Sequence, residues 1–290
     1  MSLIIYSCLS FSSTHTFIDH YANVNQIRLH YIEQGTGPLV ILLHGWPETS
    51  YEWRSSITSL SKKYRIVAPD LRGLGLSQRT LSGYDKQTIA KDIKALIGHL
   101  GEKQAVIIGH DMGGKVAYIM AHLYPNIVKK LVLVDCTIPG TENADALHGG
   151  SWHYGFHMAK DIPEMLTKGR EKEYIQAQIN NWTVQKNAID ESVIVEYVKH
   201  YSAEGGMTAG FNYYRALKED AKFVEKFRGQ SLSMPVLTIS GRQSVAEKLP
   251  EALLKESPGL EKVIIDECGH FVPEEKSRLF NEIVRRFLDN

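Results

Sequence analysis

The sequence is poor in cysteine, has no net charge and contains no long apolar run. Three cysteines in 290 residues, Cys8, Cys136 and Cys268, form neither a metal-ligand spacing nor an even-numbered disulfide framework. We therefore expect a reducing, cytoplasmic location. Lysine plus arginine equals aspartate plus glutamate at 33 each, which argues against a nucleic-acid partner or a polybasic membrane anchor. No stretch approaches the ~20 apolar residues that a membrane span requires.

The first residues carry a short apolar run at positions 3–9. This run lacks the positively charged start and the long apolar stretch of a signal peptide. We interpret residues 1–20 as a loosely packed N-terminal arm.

Short apolar runs alternate with segments of helical periodicity along most of the chain. The continuous runs are typical of buried strands and lie at residues 39–43, 65–68, 105–108, 131–134, 236–239 and 263–265. Alternation of this kind predicts an α/β fold with a mostly parallel central sheet flanked by helices. Amphipathic helical stretches replace the strand pattern near residue 138. We therefore predict a core at 21–137 and 231–290, interrupted by a helical cap at 138–230.

The strongest local motif is Gly109-His110-Asp111-Met112-Gly113-Gly114, between a predicted strand and a predicted helix. This is the layout of a nucleophile elbow, with an aspartate where esterases carry serine. Small residues are needed because the strand must reverse into the helix within one tight turn. The helix N-terminus then helps to keep Asp111 ionised, as a nucleophilic carboxylate must be. The alternative is an ordinary aspartate cap in a strand-to-helix loop.

A second motif, His44-Gly45-Trp46-Pro47, follows the strand predicted at 39–43. Loops at the carboxyl ends of parallel strands are where open α/β folds bind ligands. The backbone N–H groups of Trp46 and Met112 are predicted to form an oxyanion hole. We interpret His44 as a structural histidine that bonds to nearby backbone.

A third motif, Cys268-Gly269-His270-Phe271, follows the last predicted strand. A histidine on this short loop suits a general base placed over Asp111. The chain order of nucleophile, acid and histidine is that of hydrolases with this elbow. Cys268 and His270 are too few to form a zinc site.

Together the three motifs resemble the epoxide hydrolase and dehalogenase branch of the α/β-hydrolase-fold family. The resemblance also includes the segment Pro69-Asp70-Leu71-Arg72-Gly73 and extends from about residue 21 to the C-terminus. It implies an α/β-hydrolase fold with an inserted cap and an Asp-His-Asp triad. The motifs are specific for the fold and for an aspartate nucleophile, and less specific for the reaction.

The acid that orients His270 departs from the pattern of many relatives. They carry it as Gly-x-x-Asp after the strand that follows the insertion, where this chain reads Gly241-Arg242-Gln243-Ser244. A subgroup of the family places it one strand earlier, and Asp135 matches that position. We therefore assign the role to Asp135. Asp266 is near His270 in sequence, which does not place it behind the imidazole.

The resemblance also implies groups in the cap that hold the leaving oxygen. The segments Ser151-Trp152-His153-Tyr154 and Phe211-Asn212-Tyr213-Tyr214 resemble the two lid segments of epoxide hydrolases. Many of these enzymes use two tyrosines, and a subgroup replaces the first with histidine. His153 and Tyr214 are the implied donors, and Tyr154 and Tyr213 are their neighbours. Aromatic packing of a helical lid is the simpler explanation of the same residues.

Epoxide hydrolysis is the predicted function. Asp111 attacks a ring carbon while His153 and Tyr214 stabilise the oxygen, and His270, aligned by Asp135, then activates water. The reaction needs a small-molecule substrate and neither metal nor organic cofactor. The expected assembly is a monomer or a homodimer.

Other functions use part of the same machinery. A haloalkane or haloacid dehalogenase shares the aspartate nucleophile, but the first usually needs tryptophan and the second arginine where Met112 stands, although Lys115 keeps one positive charge nearby. A non-catalytic binding protein has no need of His270 opposite Asp111. Hydrolysis of other esters or lactones stays open.

Overall fold

A central eight-stranded sheet organises the molecule. The computed structural model describes residues 17–148 and 150–290. The strands are β1 Asp19–Val24, β2 Ile27–Gln34, β3 Leu39–Leu43, β4 Arg65–Pro69, β5 Ala105–His110, β6 Val128–Val134, β7 Val236–Gly241 and β8 Glu261–Ile265. Their order is β1-β2-β4-β3-β5-β6-β7-β8. The pairs β1–β2 and β2–β4 are antiparallel and the others are parallel. The predicted fold class is confirmed.

The first strand differs from the sequence-based expectation. Asp19 and His20 pair with Ile32 and Tyr31 in β1, although the arm was predicted to extend to residue 20. Only Ala22 and Val24 of β1 are buried, so this edge strand lacks the continuous apolar run by which the central strands were found. The rest of the predicted arm, with Cys8, lies outside the described residues.

Twelve α-helices accompany the sheet in the described residues. Six flank it: α1 Arg54–Leu60, α2 Lys86–His99, α3 Asp111–Leu123, α10 Lys248–Leu253, α11 Val272–Glu275 and α12 Ser277–Asp289. The other six follow one another between β6 and β7 and are called the helical segment: α4 Trp152–Met158, α5 Ile162–Thr167, α6 Glu171–Trp182, α7 Glu191–Tyr201, α8 Gly206–Arg215 and α9 Leu217–Val224. The longest described helix has 14 residues, so within this part of the chain none could cross a bilayer.

The period-two alternation of the strands builds a hydrophobic layer on each face of the sheet. In β3, Leu39, Ile41 and Leu43 join the cluster that contains α2 and α3. The intervening Val40 and Leu42 join the cluster that contains α1 and α12. All five side chains are buried, which explains why β3 reads as an unbroken apolar run.

The strand register brings the predicted catalytic loops to one edge of the sheet. Leu43 pairs with Gly109, and His110 pairs with Val134. Val134 in turn pairs with Ile239. The residues that follow β3, β5 and β6 therefore leave the sheet side by side, at the carboxyl ends where parallel sheets bind ligands.

Candidate active site

Asp111 occupies a strained turn between β5 and α3. Its φ of 45° lies in the left-handed region, which costs a non-glycine residue free energy and is found at functional sites. The turn is too tight for larger neighbours, since a Cβ on Gly113 would collide with the carbonyl oxygens of Leu43 and His44, and one on Gly109 with the backbone of Gly113. The small residues of the motif thus allow the turn that presents Asp111 at the sheet edge.

The Asp111 carboxylate is held ionised by its surroundings. Burial raises its pKa, but the nearby His270 and His110 and the hydrogen bond from the Trp46 N–H bring the pKa below the usual value. The Trp46 N–H donates to Oδ2 over 2.9 Å. Met112 follows in the first turn of α3, where backbone N–H groups have no partner within the helix. The two residues predicted to form an oxyanion hole are therefore both next to Asp111, Trp46 through its hydrogen bond and Met112 as the following residue of the chain.

Asp135 lies behind His270. Its Oδ2 is 2.7 Å from Nδ1 of His270, while its Oδ1 accepts a hydrogen bond from the Gly241 N–H over 2.9 Å. Asp135 also has a positive φ, 38°. On the other side of the ring, His270 Nε2 lies 4.0 Å from Asp111 Oδ1. The imidazole thus stands between the two carboxylates.

The pair with Asp135 decides the charge of His270. Burial lowers the pKa of His270, but the hydrogen bond and the charge of Asp135, together with the charge of Asp111, bring it above the usual value.

Asp266 lies elsewhere: it is exposed and forms an ion pair with Arg242 at 3.0 Å. The structure therefore brings Asp135, and not Asp266, to His270.

Ser244 has a part that the sequence analysis missed. It stands in the loop where many relatives carry the acid, and its hydroxyl donates to Oδ2 of Asp135, the residue that follows the neighbouring strand β6, over 2.5 Å. The departure from the Gly-x-x-Asp pattern was the only available signal. It indicated that the usual acid was missing, but not that the replacement hydroxyl binds Asp135.

Aromatic residues of the helical segment cover the carboxylate. The ring of His153 is 5.6 Å from that of Tyr214 and 4.6 Å from that of Trp182. Burial lowers the pKa of His153 to about 4 and raises the pKa of the Tyr214 phenol well above its usual value. Both side chains are therefore neutral near pH 7. A neutral imidazole and a neutral phenol each carry one hydrogen that can be donated.

The neighbours of this pair differ from each other. Tyr154 lies beside it, with its ring 5.5 Å from that of Tyr214. Tyr213 instead donates its hydroxyl hydrogen to the Arg72 carbonyl over 2.9 Å and is buried in the core. Tyr154 therefore lies beside His153 and Tyr214, whereas Tyr213 holds α8 to the loop that follows β4.

The two groups of residues enclose one cavity of about 330 Å³. Its lining contains the three residues of the predicted triad, Asp111, Asp135 and His270, and three residues of the helical segment, His153, Tyr154 and Tyr214. Trp182 and Ser244 also line it. A cavity of this size takes a small organic molecule. A bound molecule would lie between an ionised carboxylate and neutral hydrogen-bond donors.

A buried ionic cluster behind the nucleophile was not anticipated. His110 Nδ1 is 3.0 Å from carboxylate oxygens of both Glu48 and Glu52, and its Nε2 is 3.0 Å from the His270 carbonyl oxygen. Burial lowers the pKa of His110, but the two glutamates raise it well above its usual value. These residues offer three atoms of metal-ligand type within 4.8 Å of one another. The protonated imidazole therefore places a positive charge between the two glutamates.

His44 bonds to nearby backbone in the manner predicted. Its Nε2 accepts from the Leu71 N–H over 3.0 Å, and its Nδ1 is 3.0 Å from the Gly45 carbonyl oxygen. The neutral ring thus connects the loops that follow β3 and β4 at the carboxyl ends of these strands. Cys136 and Cys268, which were not expected to form a disulfide, are free and buried.

Known proteins resemble this chain over nearly its whole length. The model of the alpha/beta hydrolase fold matches residues 38–277. The soluble epoxide hydrolase of Corynebacterium sp. (strain C12) is 34% identical over 283 residues, which are 92% of this chain and 96% of that protein. The solved structure of the epoxide hydrolase CorEH is 33% identical, with a TM-score of 0.88 over 94% of this chain and 99% of its own. Epoxide hydrolase VrEH1 from Vigna radiata is 28% identical, with a TM-score of 0.86 over 96% and 99%.

Proposed function

This chain belongs to the α/β-hydrolase-fold family, and we propose that it hydrolyses an epoxide to a vicinal diol through a covalent ester on Asp111. The observation that carries the proposal is the composition of the cavity. An ionised carboxylate on a strained turn faces His153 and Tyr214, both neutral donors. Relatives that are epoxide hydrolases by name align over more than 90% of the chain.

In the first step, a carboxylate oxygen of Asp111 attacks a ring carbon and the carbon–oxygen bond of the epoxide breaks. Oδ2 is already held by the Trp46 N–H at 2.9 Å, so Oδ1 is the oxygen that forms the ester bond. Charge develops on the departing oxygen, and a proton from Tyr214 together with a hydrogen bond from His153 stabilises it. The product of this step is a hydroxyalkyl ester.

In the second step, water attacks the ester carbonyl carbon. His270 takes a proton from the water through Nε2, while Asp135 holds the Nδ1–H and stabilises the imidazolium that forms. The Trp46 and Met112 N–H groups stabilise the oxyanion on the former Oδ2. Collapse of the tetrahedral intermediate releases the diol and restores the Asp111 carboxylate, and the proton on His270 returns to the Tyr214 phenolate.

We propose residues 138–230 as a cap over the core at 21–137 and 231–290, because His153 and Tyr214 reach the cavity from helices α4 and α8. A cytoplasmic location agrees with the free, buried Cys136 and Cys268. The reaction needs no cofactor, and the proposed assembly is a monomer or a homodimer.

A parallel assay of diol and halide release tests the reaction. Purified protein is incubated with a panel of small epoxides, with 1-bromoalkanes and with bromoacetate. We expect diol from at least one epoxide and no enzymatic halide release, because Met112 stands where dehalogenases usually need tryptophan or arginine. Halide release that exceeds diol formation would replace the proposal with dehalogenation.

A further inference from the structure

A lysine is completely buried on the nucleophile helix. Lys115 lies one turn after Asp111 on α3, and its side chain has no exposed surface. Its ammonium group donates to the Thr137 carbonyl oxygen over 2.9 Å, to the Thr137 hydroxyl and to Glu142 Oε1 over 2.7 Å. All three N–H donors are thus used, as a buried ammonium requires.

The partners of Lys115 belong to the wall of the active-site cavity. Thr137 and Glu142 line it together with Asp111 and Tyr154. Burial raises the pKa of Glu142, but the charge of Lys115 and its hydrogen bond bring the pKa below the usual value. The second oxygen of Glu142 accepts a hydrogen bond from the Gly140 N–H over 2.7 Å. Glu142 is therefore a fixed, ionised acceptor whose charge is matched by the cation behind it.

We propose that this wall, formed by Thr137, Glu142 and Tyr154 with Lys115 behind it and called the polar subsite, selects epoxides that carry a neutral hydroxyl group close to the ring. The inference rests on the proposed function and adds the substrate class. A hydroxyl group donates to the Glu142 carboxylate in place of water. A methyl group in the same position also excludes water but offers no hydrogen to the carboxylate, which then keeps only its bonds from Lys115 and Gly140. Loss of a donor beside a charged acceptor in an enclosed site is penalised strongly.

The charge of the polar subsite also decides against acidic substituents. Lys115 already has a carboxylate partner, so a substrate carboxylate would meet the negative charge of Glu142 before it met the ammonium group. Two like charges in a partly enclosed cavity repel each other more strongly than in water. The preferred substituent is consequently neutral and able to donate a hydrogen.

Three near-isosteric epoxides measure this preference. Glycidol and 1,2-epoxybutane differ only by a hydroxyl in place of a methyl group, and glycidate carries a carboxylate. We expect the kcat/KM of the wild-type protein to be at least ~10-fold higher for glycidol than for 1,2-epoxybutane, and lowest for glycidate. The Glu142→Gln variant keeps the shape and removes the charge. In that variant we expect the glycidol preference to fall about fivefold and turnover of glycidate to rise.

Comparison of one substrate pair in several variants removes the intrinsic difference in epoxide reactivity. Glu164→Gln is the matched control, because Glu164 is paired with Arg215 on the helical segment and does not line the cavity. It should leave the glycidol preference unchanged. Thr137→Val is a second test should Glu142→Gln fail to fold, and it should also lower the preference.

The outcomes separate the two proposals. Equal kcat/KM for glycidol and 1,2-epoxybutane in the wild-type protein overturns the polar subsite and leaves epoxide hydrolysis in place. A preference that Glu142→Gln or Thr137→Val does not reduce also overturns it. Failure to convert any epoxide of the wider panel contradicts the proposed function itself.

Discussion

The cavity has two sides that are built in different ways. On the sheet side, Asp111, Asp135 and His270 are titratable groups held by short polar contacts at the ends of strands. On the helical side, His153 and Tyr214 are neutral side chains that pack through their rings. Burial lowers the pKa of His153 on the helical side, whereas the hydrogen bond and the charge of Asp135 raise the pKa of the partly exposed His270.

The difference teaches how one cavity separates two tasks. The sheet side carries the charged groups. The backbone at two positive-φ positions, Asp111 and Asp135, holds their carboxylates in place. The helical side carries neutral donors, so in the proposed reaction it stabilises an oxygen only when negative charge develops there. Five predictions test this division, in order of decreasing effect.

Removal of the nucleophile should have the largest effect. We expect Asp111→Ala to lower kcat for diol formation by at least ~10⁴-fold, because no other carboxylate in the cavity stands at the elbow turn. The variant should remain folded, with the circular dichroism spectrum of the wild-type protein, but its thermal unfolding midpoint should be lower, because the neighbours of Asp111 stabilise its charge. Diol formation at near the wild-type rate would mean direct attack by water and would break the covalent mechanism.

Removal of the base should stop the reaction halfway. His270→Gln should still open the epoxide ring and form the ester on Asp111. It should release the diol at least ~10³-fold more slowly than the wild-type protein does. Mass spectrometry of the substrate-treated variant should show one added substrate mass on the peptide that contains Asp111. An unmodified protein after long incubation with a good substrate would contradict the role given to His270.

Loss of the orienting acid should affect the second step more than the first. Asp135→Asn should slow ester hydrolysis by ~10² to 10⁴-fold, as it leaves the imidazole in the wrong tautomer. It should also shift the acid side of the pH–rate profile to lower pH, because Asp135 raises the pKa of His270. Asp266→Asn is the matched control, and its single-turnover rates should stay within about twofold of wild type. The reverse pattern would exchange the two assignments.

Changes on the helical side should slow ring opening only. Tyr214→Phe and His153→Phe should each reduce the alkylation rate by ~10 to 10²-fold, and the double variant should be nearly inactive. Since both groups are neutral near pH 7, neither substitution should shift the acid side of the pH–rate profile, which reflects the titration of His270. A double variant with near wild-type alkylation would show that the oxygen is held elsewhere.

The smallest expected effect concerns stability on the sheet side. Burial and the neighbouring Glu52 raise the pKa of Glu48 to about 7, so its contribution to folding is complete below about pH 4.5 and is lost as the pH rises through 7. The paired His110 has a raised pKa and acts in the same direction. Glu48→Gln should therefore reduce the fall in melting temperature between about pH 4.5 and 8.

Glu282→Gln is the matched control for this measurement, because Glu282 forms an exposed pair with Arg278 within α12. It should leave the pH dependence as it is in the wild-type protein. An equal pH dependence in the wild-type protein and Glu48→Gln would contradict a role for the buried cluster.

Much of the architecture could be predicted from local pattern. The central strands are buried on both faces and therefore appear in the sequence as apolar runs. The Asp111 motif contains the glycines that the turn from strand to helix needs. The resemblance to the α/β-hydrolase-fold family is confirmed by the match over residues 38–277. Edge strand β1 escaped prediction, because half of its side chains are exposed and its pairing with β2 is a contact between segments.

The sequence by itself determined which residue types stand at strand ends, and therefore that an aspartate follows β5 and a histidine follows β8. It also indicated that Ser244 is not the acid. Only the tertiary structure decided that Ser244 supports Asp135, that His110 is charged between two glutamates and that Glu142 matches the buried Lys115. The physical reason is distance along the chain: burial and the charge of a partner decide the state of a titratable group, and these partners lie 27 to 109 residues away.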